Sequence, residues 1–119
     1  MIKIKLFLNF EKKFKKLKKK NKNILKDIRE LSEELQENPK LGIFLGNDIY
    51  KIRVANSSKN IGKSGGFRVI TYFLDEEDFE ENKTVYLLEI YEKNFIENIA
   101  TNELIKLVKK EFENIANLD

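Results

Sequence analysis

Apolar and polar positions along this chain change period several times. Ile2, Ile4, Leu6 and Leu8 alternate with Lys3, Lys5 and Phe7, the two-residue repeat of a half-buried strand. Past Asn9 the repeat lengthens. Phe10, Phe14 and Leu17 recur at helical spacing to about Lys19, and Ile24, Ile28, Leu31 and Leu35 mark a second helix over about 21–37. Asn21 and Asn23 offer cap chemistry between the two, and Pro39 closes the second, so they form an αα-hairpin. After Leu41 the alternation returns, with Tyr50, Ile52 and Val54 set against Lys51, Arg53 and Ala55.

Residues 56–66 form a polar loop bearing three glycines. Two β-branched and aromatic runs follow, 67–74 and 84–91, joined by the acidic stretch 75–82. Leu104, Leu107, Val108, Phe112 and Ile115 make a last helical stripe over about 101–117, with Thr101 as its N-cap. The predicted order is β-α-α-β-β-β-α over a single domain of residues 1–119. This is an α+β fold whose antiparallel meander is covered on one face by the helix hairpin. The other face is expected to stay open, with Lys51, Arg53 and Arg68 pointing outward.

The chain has 119 residues, 41% hydrophobic and 36% charged, which is enough apolar material for one compact core. It has no cysteine and no histidine. Disulfides, thiolate metal sites, imidazole-based triads and ordinary zinc enzymes are thereby excluded. No apolar run approaches the roughly 20 residues of a membrane span, and the first strand leads into lysines rather than a cleavage site. A soluble, cytoplasmic protein without membrane contact is the expectation.

The net charge of +3 conceals blocks: residues 1–29 carry +10, 30–48 carry −4, 49–72 carry +5 and 73–92 carry −7. Such a distribution gives a cationic face suited to a polyanion. The stretch from Lys12 to Lys22 reads either as a solvated helix face or as an electrostatic contact to RNA.

Without histidine, phosphodiester cleavage falls to Lys, Arg, Tyr and carboxylates. A ribonuclease using the neighbouring 2′-hydroxyl needs no metal. It needs a group to take that proton, cations for the pentavalent phosphate and a group to protonate the leaving 5′-oxygen. Lys51, Arg53, Lys63, Arg68 and Lys93 make a sensible set if the strands converge; otherwise they are solvated strand-edge cations. Gly62-Lys63-Ser64 looks like the end of a P-loop. The first glycine of that motif would fall at Ser57, however, and a strand follows rather than a helix, so nucleoside-triphosphate binding is rejected. The acidic residues 75–81 read as a splayed, solvated turn rather than a metal site. Phe67, Phe73 and Tyr86 read as core.

Three segments, Tyr50-Lys51-Ile52-Arg53-Val54-Ala55, then Gly62-Lys63-Ser64-Gly65-Gly66-Phe67-Arg68-Val69-Ile70, then Val85-Tyr86-Leu87-Leu88-Glu89-Ile90-Tyr91-Glu92-Lys93, carry a resemblance. With the preceding Leu41-Gly42 they resemble the RelE/ParE superfamily of type II toxins, in its phage-Gp49-like or HigB-like branch. The resemblance implies a RelE-like fold and a ribosome-dependent mRNA endonuclease (an mRNA interferase) that needs no cofactor. It also implies a cognate antitoxin, commonly of helix-turn-helix type, as partner. Carried over by position, it implies that Lys51, Arg53, Arg68 and Lys93 are catalytic and that Lys63 and Tyr91 bind substrate. A C-terminal tyrosine frequent in such toxins is replaced here by Ile99, which leaves the general base open, with Tyr91 or Tyr72 as substitutes. Two alternatives share the fold: a ParE-like gyrase inhibitor, and an inactive relative kept for nucleic-acid or protein binding.

Overall fold

The computed structural model describes residues 2–75, 83–93 and 99–117, with side chains described through residue 114. The connection over residues 76–82, expected to be a solvated acidic turn, lies outside the described residues, as does the Ile115 side chain. The elements are β1 (Lys3–Leu6), α1 (Leu8–Lys18), α2 (Ile24–Glu37), β2 (Ile43–Gly46), β3 (Ile49–Val54), β4 (Phe67–Asp75), β5 (Lys83–Glu92) and α3 (Thr101–Asn117). They build an α+β fold on one mixed five-stranded sheet of order β1-β5-β4-β3-β2, in which β1 runs parallel to β5 and the other pairs are antiparallel.

Two features correct the sequence expectation. The first is β2, an edge strand that the periodicity passed over. It turns into β3 through Gly46, Asn47 and Asp48, all at positive φ. The second is the far face of the sheet, which is not open. The helix hairpin covers one face, where Ile24, Ile28, Leu31 and Leu35 of α2 pack on Tyr50, Ile52, Val54, Phe67 and Val69. Helix α3 covers the other, with Leu104 and Val108 buried against Ile49, Ile70, Tyr86, Leu88 and Tyr91. Ile49, Ile70, Tyr72 and Leu74 add apolar residues to the side that also carries Lys51, Arg53 and Arg68, so that face too demands a cover.

The N-terminal alternation also breaks early. Ile2 and Ile4 pack against the first core, but Leu6 and Leu8 are exposed while Phe7 is buried in the second. Its ring stacks on Tyr86 at 4.6 Å and meets Phe112 of α3 edge-on at 5.4 Å. Helix α1 then follows the margin of β5 that the short β1 leaves unpaired, and Asn9 Nδ2 donates to Leu88 O at 2.9 Å.

Helix α1 lacks a side-chain N-cap of its own, since Phe7 occupies that position. The buried Glu111 of α3 supplies one instead. Its Oε2 accepts the Leu8 N–H at 3.3 Å and its Oε1 the Asn9 N–H at 2.9 Å. A carboxylate at a helix N-terminus meets both the orphan donors and the positive end of the dipole. Glu111→Ala leaves two donors unmet and is expected to lower stability by about 2 kcal/mol. Urea unfolding checks this as a lower midpoint at unchanged slope.

The polar loop is not structureless. Residues Ser57–Lys59 form a short 3-10 turn, and Asn56 bridges to Ile61. Asn21 does cap a helix, but at the C-terminal end of α1, where its Nδ2 donates to Leu17 O at 2.9 Å. Its Oδ1 accepts from buried Asn56 Nδ2 at 2.9 Å, and Asp27 Oδ2 accepts the Ser57 N–H at 3.1 Å. The hairpin and the loop are thus tied by a buried polar seam. Thr101 begins α3 rather than capping it.

Candidate functional site

Strand register brings most of the singled-out residues to one face at one end of the sheet. Arg53 lies opposite Arg68, and Arg68 opposite Tyr91, in a single cross-strand row. Directly opposed residues on neighbouring strands sit about 5 Å apart at Cα. One row back, Lys51 faces Ile70, which faces Glu89. Beyond Tyr91, the Lys93 N–H donates to Gly66 O at 3.1 Å, so that exposed residue stands at the same end as the glycine loop.

Tyr91 reaches this face because of a bulge. The register slips between Ile70, paired with Glu89, and Thr71, paired with Leu87, leaving Leu88 as the extra residue of β5. Val85 and Leu87 therefore face the helix hairpin, yet Tyr91, two further steps along, lies in the α3 core. Strict alternation would put it on the opposite face.

Between the sheet and the start of α3 lies a cleft of about 250 Å³, lined by Leu45, Lys51, Ile70, Tyr91, Ile99, Ala100 and Thr101. It holds an amine, a phenol and a threonine, and the N-terminus of α3 opens beside them. Ile99, the position where a tyrosine was expected in the resembled toxins, lies here with Tyr91. Burial raises the Tyr91 phenol above its ordinary value and the Glu89 charge adds to the rise, while the nearby Arg68 works in the other direction. Tyr72 is raised as well, by burial and by the charge of Asp48.

These two shifts predict an alkaline limb in stability. The folded chain keeps phenol protons that the unfolded chain releases near pH 10, so the stability present below that pH falls as pH rises through the folded values. Tyr91→Phe is expected to flatten this fall, read from thermal melts between about pH 9 and 11.

Arg68 does not point freely outward, and the structure corrects that expectation. Its residue is buried, and its guanidinium donates to Lys63 O at 3.2 Å, Phe67 O at 3.2 Å and Ser64 O at 2.9 Å. It clamps the Gly62–Gly66 loop onto the sheet. These bonds use three of its five N–H donors.

Lys63 is not brought to the cleft. Its ammonium lies 3.9 Å from Glu34 Oε2 of α2, and both side chains are well exposed. Lys63 and Arg53 border a small cavity of about 40 Å³ beside Asp27, Glu30 and Glu34, an acidic row that gives both cations local counter-charge.

Sequence reading missed three polar residues near the site. Glu89 is buried, with Lys13 Nζ at 2.5 Å from its Oε1 and Asn9 Nδ2 donating to its Oε2 at 3.0 Å. Glu111 sits on the buried stripe of α3 at the spacing of Leu104 and Val108, a signal the sequence did carry. Asn9 offered no signal.

Among the described residues, no three Asp, Glu, His or Cys side chains are grouped to hold a metal ion, and no helix is long and apolar enough to cross a membrane. No protein-family model matches the chain.

Proposed function

We propose that this protein is an RNA-binding phosphodiester-cleaving enzyme that works without metal. More narrowly, the reading is a RelE-like toxin: a cytoplasmic, ribosome-dependent mRNA endonuclease that blocks translation and is neutralised by a cognate antitoxin that masks the basic face. The observation that carries the reading is the single cleft shared by Lys51 and Tyr91, with Arg53 and Arg68 in the neighbouring cross-strand row.

In this reading the 2′-hydroxyl attacks the adjacent phosphorus and the 5′-oxygen leaves, giving a cyclic phosphate. Lys51 and Arg53 stabilise the added negative charge. Tyr91, held protonated by burial, is suited to give its proton to the leaving oxygen rather than to act as a base. Lys51 and water are the groups at hand for the 2′-hydroxyl proton, since no carboxylate lines the cleft among the described residues. Lys93, exposed at the same end of the sheet, adds positive potential.

The alternative, a ParE-like gyrase inhibitor or an inactive binding relative, is favoured by one observation: Arg68 is largely engaged by backbone carbonyls. Primer extension on a defined message in a cell-free translation mix, with and without ribosomes, separates the readings. New ribosome-dependent 3′ ends are expected from the wild type, reduced about 100-fold by Lys51→Ala or Arg53→Ala with the fold retained. An intact message would refute the endonuclease, and a gyrase supercoiling assay would then decide between the alternatives.

A further inference from the structure

A second groove, of about 310 Å³, runs between α1 and the end of β5. Lys13, Lys16 and Lys20 form its wall, Leu17, Ile90 and Tyr91 its floor, and Glu92 borders it. Its volume falls where small-ligand sites begin, about 300 Å³. Lys13 is engaged by Glu89, whereas Lys16 and Lys20 are exposed, with no carboxylate paired to them among the described residues. Lys16 lies in the last turn of α1 and Lys20 in the turn that follows it.

Tyr91 lines both this groove and the Lys51 cleft, so the two adjoin at this residue. Along one wall of the groove, the exposed ammonium groups of Lys16 and Lys20 stand beside an apolar floor. That pairing of surfaces matches phosphates beside a base. Lysine suits it, because a compact charge on a flexible stem holds phosphate oxygens regardless of base identity.

We propose that this groove is a second nucleotide subsite. Single-stranded RNA with its scissile phosphate at Lys51 continues across Tyr91 and sets its neighbouring phosphates against Lys16 and Lys20. The placement of the scissile bond rests on the endonuclease reading; the binding of a strand in the groove does not.

The test is fluorescence anisotropy of a short, labelled 2′-O-methyl oligoribonucleotide, which cannot be cleaved through its 2′ position, titrated with the full chain at several salt concentrations. Lys16→Ala/Lys20→Ala is expected to weaken binding about tenfold and to flatten the slope of log K against log salt by about 1.4, near 0.7 for each lost phosphate contact. Lys106→Ala/Lys109→Ala removes the same charge from exposed positions of α3 outside the groove, and is expected to change binding less than about twofold. Equal losses in the two pairs, or none in either, would overturn the subsite. So would capture of an acidic polyglutamate peptide through Lys16 and Lys20 with no oligonucleotide binding. If the oligonucleotide binds as expected while the message stays intact, the subsite stands and the endonuclease falls. Cleavage by an enzyme whose binding ignores Lys16 and Lys20 overturns the subsite alone.

Discussion

Replacing Arg68 by alanine is expected to lower stability by about 3 kcal/mol as well as to abolish any activity of the site. The guanidinium is buried and holds the carbonyls of Lys63, Ser64 and Phe67. Charge-assisted hydrogen bonds are worth about 1.5–3 kcal/mol each, discounted here for the part-buried bonds to Lys63 and Ser64, while the bond to the Phe67 carbonyl is buried. For a domain of this size the loss corresponds to a fall in Tm of about 10 °C. Arg68→Lys is expected to recover only part of it, because one ammonium cannot reproduce a planar fork spread over three acceptors. Thermal melts and limited proteolysis within residues 57–66 check both variants. A stable, proteolysis-resistant Arg68→Ala protein would show that the clamp is dispensable. Loss of activity at Arg68 alone therefore says little about phosphate contact, which is why Lys51 and Arg53 are the cleaner probes.

Gly66→Ala is expected to be at least as damaging, at about 3 kcal/mol or more. A Cβ there would lie 2.1 Å from Val54 O, 2.9 Å from Asn56 N and 3.0 Å from Ala55 C, all backbone atoms at the end of β3. None of these can move aside as a side chain would. The neighbouring Gly62 meets nothing within 4 Å, so Gly62→Ala is expected to cost less than about 0.5 kcal/mol. Paired denaturant curves of the two variants give the comparison. The Gly-Lys-Ser-Gly-Gly run is thus constrained in part by steric fit: its last glycine lets two backbones touch, and its lysine and serine carbonyls receive Arg68.

Period carried the sequence reading where burial is one-sided. The stripes Ile24-Ile28-Leu31-Leu35 and Leu104-Val108 were legible because each helix buries one face. The short β2 was not, since Ile43 and Phe44 are exposed and give no inward pattern. The sequence reading passed over its turn as well: Asn47-Asp48 takes left-handed backbone, and such a pairing suits a two-residue hairpin. The covered second face was readable in principle from Ile49, Ile70 and Tyr72, which share their side with Lys51 and Arg53. What no local pattern reveals is Arg68 turning back to carbonyls four and five residues earlier, or Lys63 facing Glu34 across the hairpin. Those contacts depend on the path of the 57–66 loop.

The slip in β5 changes how that strand tolerates mutation. Before Leu88 the odd-numbered residues Val85 and Leu87 serve the hairpin core; after it the even-numbered Ile90 does, and odd-numbered Tyr91 serves the cleft. The strand is read in two frames. Deleting Leu88 would merge the two frames: with the N-terminal half held in place by β1 and the second half of β4, Glu89, Ile90 and Tyr91 would keep Ile70, Val69 and Arg68 as partners and keep their present faces. The loss of Leu88 would then be felt in the α3 core, where its side chain packs, whereas deleting a residue beyond the slip with the bulge retained would turn the following positions to the opposite face.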